Sequence, residues 1–336
     1  MEIRKSPSDK SVNNAISADE PMPAVISFDG KTAIISHIKE NMKTVPAKTI
    51  LQKNKSNEWF GNDYNMNLYR GCCHGCIYCD SRSECYHVED FDTVHAKENA
   101  LVILRDELRR KVRSGIIGTG AMSDPYNPFE KTELLTRHAL ELISAYGFGI
   151  TVITKSSLIT RDIDVYKEIA ENSPVLCKMT ITVADDDLCR IIEPNVSVAS
   201  ERFEALAKMA DSGLFTGITL MPVLPFIEDS IENIRSIVRT AHQCGVRCIY
   251  PFFGVTLRTN QREHFLDELD RRFPDSNLRQ QYISYYGSRY ECVSPNVKQL
   301  WKIFTEDCDR YGIIYNMKSI ISAYKMGYGD NQLSFF

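Results

Sequence analysis

Between Tyr64 and about residue 255, β-prone apolar runs alternate with segments whose apolar residues recur at helical spacing, and this alternation limits the possible fold more than any other feature. The run YNMNLY predicts a first strand. Ala100, Leu101, Leu104, Leu108 and Val112 then share a helical face. GIIGTGAM predicts the next strand, before a helix on Leu134, Leu135, Ala139, Leu142 and Ile143. GITVIT precedes a helix around Val165 to Ala170, and VLCKMTITV one using Phe203, Leu206 and Met209. TGITLMPVL leads to a helix through Ile231, Ile234 and Val238, and VRCIYPFFGV closes the series. Six strands with intervening helices imply an α/β fold with a parallel sheet, right-handed crossovers and a site at the strand C-terminal ends. The same alternation fits an open partial barrel and a doubly wound sheet.

The flanks read differently. Residues 1–57 form an N-terminal extension, polar at first and then carrying AVISFDGKTAIIS, which predicts a hairpin around Asp29-Gly30. Residues 58–260 carry the alternating core, and 261–336 a tyrosine-rich C-terminal segment with a helix near Val297 to Cys308. No stretch approaches the ~20 apolar residues of a membrane span, and the N-terminus lacks the apolar core of a secretory signal. The expectation is a cytoplasmic protein with reduced thiols and no membrane partner. A formal charge of -4 leaves nucleic-acid contact to local patches such as Arg109, Arg110, Lys111 and Arg113, which equally read as a solvated helix face.

The chain has eleven cysteines, an odd number, with a concentration at 72, 73, 76, 79 and 85 that argues for metal rather than disulfides. RGCCHGCIYCDSR places thiols at C-x3-C-x2-C just after a predicted strand, close enough to converge on one inorganic cube. Such a cube normally takes four thiolates, so three leave one iron open. A second register remains: a zinc knuckle drawing on Cys73, Cys76, Cys79, Cys85 and His74 or His87.

Polar residues stand where later strands end. In GTGAMSDPYNPFEK, Gly118 and Gly120 allow close backbone approach, while Ser123 and Asp124 either accept from an ammonium group or form a helix-capping turn. In TKSS, Lys155 leaves an apolar run to meet water or an anion. Thr182 reads as a polar strand end or a plain β-branched strand residue. Glu193 and Arg202, in EPNVSVASER, are expected to form an ion pair.

C-x3-C-x2-C with an aromatic residue, Tyr78, before the last cysteine resembles the cluster motif of the radical S-adenosylmethionine (SAM) superfamily. The resemblance implies a partial (β/α)6 TIM-type barrel core with a [4Fe-4S] cluster on Cys72, Cys76 and Cys79. It also implies SAM chelated at the open iron and a reducing electron donor, whose electron cleaves SAM to a 5′-deoxyadenosyl radical. Ser123 and Asp124 would then meet the SAM amino group, Lys155 with Ser156 beside it the carboxylate, and Thr182 the ribose, with Tyr78 also at the cofactor.

YRGCCHGCIYCDSR, SDPY, TKS, IEPNVSVASER and MPVLP together resemble the spore photoproduct lyase-like branch over roughly residues 45 to 255, which implies a nucleic-acid substrate. Those lyases carry a hydrogen-donor cysteine two residues before the strand-end serine, and here that position is Ala121. Asp80 stands where they carry a second tyrosine. Cys85 is then the alternative hydrogen donor, or an inert loop thiol. Gln332-Leu333-Ser334-Phe335-Phe336 resembles the peptide by which replication and repair proteins dock on the DNA sliding clamp, and otherwise reads as a tail folding back on the barrel. Modification of a protein or small molecule, and an iron-sulfur or zinc-binding redox or interaction module, are the other functions open to this sequence.

Overall fold

A computed structural model describes residues 42–111 and 113–328, with the backbone of strands Ala24–Phe28 and Lys31–Ile35. Those two strands pair antiparallel with Phe28 opposite Lys31, the expected hairpin, although Asp29 and Gly30 lie outside the described residues.

The main sheet comprises β1 (Leu51–Lys53), β2 (Tyr64–Met66), β3 (Ile116–Thr119), β4 (Gly149–Thr154), β5 (Val175–Thr180), β6 (Thr216–Leu220) and β7 (Cys248–Pro251). From β2 to β7 the strands are parallel and lie side by side in chain order, and β1 joins β2 antiparallel at the edge. A doubly wound sheet would reverse its order at a switch point. Unbroken order is that of a barrel, and among the described residues β1 and β7 do not pair, so the barrel is partial. The open edge of β7 is covered by Ile314, whose carbonyl accepts from Ile249 N at 2.9 Å and whose N–H donates to Arg247 O at 3.0 Å.

The helices outside the sheet are α1 (Ala100–Arg109), α2 (Leu135–Ala145), α3 (Ile163–Ala170), α4 (Ala199–Asp211) and α5 (Ile231–Gln243). Each forms because one stripe of its residues is apolar. In α1, Ala100, Leu101, Leu104 and Leu108 are buried, and α1 stops at Arg109, short of the Val112 expected on its face, which is outside the described residues. Burying a side chain such as Leu104 contributes about 2 kcal/mol. In α5, Ser230 caps the first turn by accepting from Asn233 N at 3.1 Å, and Ile234, Ile237, Val238 and Ala241 face inward.

Two glycines keep the barrel closely wound. A Cβ on Gly118 would sit 2.2 Å from Asn62 Nδ2, and one on Gly217 would sit 2.5 Å from Cys248 Sγ. The C-terminal segment contains more than the one helix expected: α6 (Thr259–Arg272), α7 (Leu278–Tyr286), α8 (Val297–Tyr311) and α9 (Met317–Lys325). β8 (Gly254–Thr256) and β9 (Glu291–Val293) pair antiparallel and tie this segment to the core. Ile320 and Tyr324 of α9 pack with Phe60, Ile116, Leu176 and Phe215 and close the floor of the barrel, where the Tyr324 hydroxyl donates to Phe60 O at 2.7 Å.

Candidate functional site

The cysteine loop leaves the short strand Tyr69–Arg70, and its path depends on Gly71. This residue has φ +79°, and a Cβ there would lie 2.1 Å from Thr93 O, so only glycine fits. Backbone bonds hold the loop from several sides: Cys72 N to Phe91 O at 2.7 Å, Ile77 N to Ile192 O at 3.1 Å, and Asn195 N to His74 O at 3.2 Å. Asn195 Nδ2 adds a bond to Cys73 O at 3.0 Å.

Cys76 is buried, and Cys72 and Cys79 are half-buried. Burial pushes the Cys72 thiol up to about 12 and raises those of Cys76 and Cys79, and each of the three also feels at least one nearby thiolate or ammonium. Cys72 and Cys79 both bear on Cys76, whereas the strongest outside influences on Cys73 are Asp124 and Asp92. Thiolates in such surroundings need a cation bound to them, and an iron-sulfur cube supplies one. Among the described residues, no three His, Cys, Asp or Glu side chains converge on a point suited to a single metal ion. Three thiols on one loop, two of them bearing on the third, are the donor chemistry that an iron-sulfur cube takes.

Behind the loop lies a buried polar core. The Tyr78 hydroxyl donates to Glu193, and Glu193 pairs with Arg202 at 2.6 Å, the ion pair expected from the sequence. Burial opposes the charge on Glu193, but Arg202 and Lys155 outweigh it and hold this carboxyl below its ordinary range. The Lys155 ammonium lies 5.5 Å from the Tyr78 ring centroid. Burial works against its charge too, yet Cys76 and Glu193 raise it above the ordinary lysine value.

The strand-end residues fall around this core. Ser123 donates to Gly71 O at 2.6 Å, which links the end of β3 to the cysteine loop. Asp124 accepts from Tyr126 N (2.9 Å), Thr154 Oγ1 (2.6 Å) and Lys155 N (2.8 Å), and its other near neighbour is His74 Nδ1 at 3.5 Å. Its carboxylate thus fixes the backbone from which Lys155 projects. Ser156 caps a 3-10 helix by accepting from Leu158 N at 3.4 Å. Thr182 donates to Glu228 Oε1 at 2.5 Å, and Glu228 also accepts from Leu224 N at 2.7 Å. Burial raises the Glu228 carboxyl to about 8. Sequence reasoning missed Glu228, whose only signal is an acid following the apolar run MPVLPFI.

Cys85 stands apart, exposed on the turn Glu84–Tyr86. Asp80 accepts from Arg258 Nε at 3.0 Å and from the Tyr86 hydroxyl at 2.9 Å. Arg109, Arg110, Lys111 and Arg113 precede β3, at the end of the barrel away from the cysteine loop. Gln332 to Phe336 lie outside the described residues.

The family model of the radical SAM superfamily matches residues 66–238, from the first barrel strand through most of α5. The chain belongs to the radical SAM superfamily. Its cofactors are accordingly a [4Fe-4S] cluster and SAM, and it is an enzyme. An uncharacterized protein of Mycobacterium tuberculosis is 31% identical over 228 residues, covering 65% of this chain and 67% of the relative. An uncharacterized protein of Methanocaldococcus jannaschii is 31% identical over 172 residues, 50% of this chain and 63% of that one. Among solved structures, a cysteine-to-serine mutant of spore photoproduct lyase matches at TM-score 0.59 with 15% identity, covering 80% of this chain and 79% of the lyase. A radical SAM methyltransferase from Kitasatospora setae matches at TM-score 0.51 with 10% identity, over 79% of this chain and 58% of the other. These likenesses show the radical SAM partial-barrel fold. Among the described residues, no helix is long and apolar enough to cross a membrane.

Proposed function

We propose that residues 58–260 form a catalytic core in which Cys72, Cys76 and Cys79 hold the cluster at three irons and leave the fourth to SAM, and that the substrate is nucleic acid. When bound, the cluster supplies the electron that cleaves SAM to 5′-deoxyadenosyl radical and methionine. The observation that carries the reading is that Cys72 and Cys79 both bear electrostatically on Cys76, and the Lys155 ammonium on Cys76 and Cys79. Lys155 is the cation for the SAM carboxylate, held in place by Asp124 through its own N–H. Ser123 offers its hydroxyl oxygen to the SAM amino group, with Asp124 as the nearby negative charge. Thr182, whose hydroxyl donates to Glu228, would meet the ribose, Ser156 would shape the wall beside Lys155, and Tyr78 would form the buried backing of the cofactor. Surrounding burial excludes water, which protects a radical from quenching.

Support for nucleic acid comes from the fold shared with spore photoproduct lyase, one of whose structures holds AdoMet and a dinucleoside spore photoproduct (TM-score 0.56, 15% identity, 83% of this chain and 80% of that one). The tail Gln332 to Phe336 adds the sliding clamp as a proposed partner, tested by comparing clamp binding of the full chain with one lacking those residues. Ala121 favours a different reaction from the lyase's, since no thiol stands there, and exposed Cys85 is the proposed hydrogen donor instead. The same absence keeps radical modification of a protein or small molecule as the second reading. A reducing electron donor is required, and thiols that must stay reduced fit a cytoplasmic setting.

The deciding experiment is anaerobic reconstitution with iron, sulfide, reductant and SAM, followed by deuterium transfer into 5′-deoxyadenosine from labelled nucleic acid. Transfer supports the reading. SAM cleavage with deuterium acquired only from labelled protein or metabolites would reject nucleic acid as the substrate.

A further inference from the structure

Hydrogen bonds to its sulfurs help set the potential at which an iron-sulfur centre takes up an electron. In the cysteine loop such donors reach two of the three proposed ligands. The Cys79 sulfur accepts from the backbone N–H groups of Ser81 and Arg82, in the turn that directly follows it. The Cys72 sulfur accepts from the N–H groups of Asp124, on the loop after β3, and of His74. The His74 donor stands in a stretch that is neither helix nor strand, so its direction needs support from elsewhere.

Asn195 supplies that support from 122 positions away: its Nδ2 donates to Cys73 O at 3.0 Å. The Cys73 carbonyl and the His74 N–H are the two ends of one planar peptide unit, so fixing the oxygen fixes the direction of the N–H. The chain of bonds runs from the Asn195 amide through this peptide to the Cys72 sulfur, and each bond polarises the next. Asn195 N donates in addition to His74 O at 3.2 Å, which holds the following peptide. This close approach requires glycine at position 75, where a Cβ would sit 3.1 Å from Pro194 Cγ and 3.2 Å from Asn195 Nδ2. Asn195 is itself anchored, two residues beyond Glu193, whose carboxylate is buried against Arg202 and Tyr78. Its own side chain is exposed and adds little to the core.

We propose that Asn195 is a positioning residue for the cluster: through the Cys73–His74 peptide it directs the His74 N–H at the Cys72 sulfur and so raises the midpoint potential at which the cluster accepts its electron. A donor aimed at sulfur favours the more negative, reduced state, and losing it makes reduction harder. The inference rests on the three-cysteine cluster of the reading above and adds to it a residue that touches no sulfur.

The test is a redox titration of full-length protein reconstituted anaerobically with iron and sulfide, without SAM, followed by cluster absorbance and with iron content measured on each sample. Asn195→Leu keeps the size and loses the donor. Its midpoint should fall, leaving about tenfold less reduced cluster at a fixed potential, a shift of about 59 mV for a one-electron couple. Asn195→Gln keeps an amide donor on a longer arm and should recover at least half of that shift. Should Asn195→Leu hold too little iron to titrate, Asn195→Ala takes its place with the same expectation. A wild-type midpoint in the variants without the donor would overturn the proposal and leave the cluster reading intact. Equal falls in the Leu and Gln variants would overturn it too, because a loosened loop rather than the lost donor would be the cause. A wild type that assembles no cluster rejects the three-cysteine reading and this inference with it.

Discussion

The Glu193 carboxylate meets the Arg202 guanidinium at 2.6 Å, with side chains 0% and 1% exposed, and the pair sits directly behind the cysteine loop. Arg202 also donates to Ser197 O at 2.7 Å and Thr180 O at 2.8 Å, while Glu193 accepts from Tyr78. The pair therefore joins the end of β5 to the cluster loop. Removing one partner strands the other's charge out of water, so Glu193→Gln or Arg202→Met should each cost about 3–5 kcal/mol in urea denaturation. The double variant should recover much of that loss, because no buried charge is left alone. Single-variant costs below about 1 kcal/mol would show that water reaches the pair.

The two cysteine registers separate by substitution. Cys72→Ser and Cys76→Ser should lose the brown absorbance of the reconstituted cluster and release no 5′-deoxyadenosine. Cys73→Ser should keep both, since its thiol is influenced chiefly by its own burial, Asp124 and Asp92 rather than by the other thiols. Iron and sulfide analysis of each purified variant is the check. Loss of colour in Cys73→Ser with retention in Cys72→Ser would shift the ligand set by one residue.

Glu228 carries a pH dependence. Burial raises its carboxyl to about 8 against an ordinary 4.5, outweighing the bonds from Thr182 and Leu224 N. The unfolded chain releases this proton near pH 4.5 and the folded chain holds it until about 8, so stability falls as pH rises through that interval and levels off above it. Glu228→Gln lacks this loss. Its stability relative to wild type should therefore improve from pH 5 to pH 8, by roughly 5 kcal/mol at most. Parallel slopes for the two proteins over that range would place the carboxyl in contact with water.

The barrel was legible because its strands are short, mostly apolar runs and its helices carry clear stripes, such as Ile234, Ile237, Val238 and Ala241. Strand order was not legible, since periodicity records elements and not neighbours. Of the C-terminal helices α8 was expected near Val297 to Cys308, whereas α6 was missed for a physical reason: its apolar residues are only Phe265, Leu266 and Leu269, a stripe too narrow to stand out in a charged segment. At the site, the cysteine spacing and the Glu193–Arg202 pair could be read because one element or one short stretch holds each. The bonds from Gln261 to Tyr78 and from Arg258 to Asp80 join residues 183 and 178 positions apart, and no local pattern announces them.

Lys178 offers the last prediction. It lies on β5 between Ile153 and Gly217 in register, and its ammonium is buried without a hydrogen-bond partner, 4.2 Å from the Phe60 ring centroid. Contact with an aromatic face offsets about 2 kcal/mol at best when a cation is desolvated. Burial wins: it lowers the amine from 10.5 to about 7, despite the nearby Cys248 and Cys177. Above pH 10.5 the amine is neutral folded or unfolded, and no penalty exists. As pH falls toward 7 the unfolded chain takes up a proton that the folded chain refuses, so stability is lost across that window and then levels off. Lys178→Met, similar in length and without a charge, removes the penalty. It should stabilise the protein by up to roughly 5 kcal/mol near pH 7 and by much less at pH 10, read as the difference in urea midpoints at the two values. An equal gain at both would trace the effect to packing against Phe60 and Gly217. A destabilised variant at pH 7 would mean the ammonium is solvated within the barrel, in which case the floor formed by Phe60 and Tyr324 admits water.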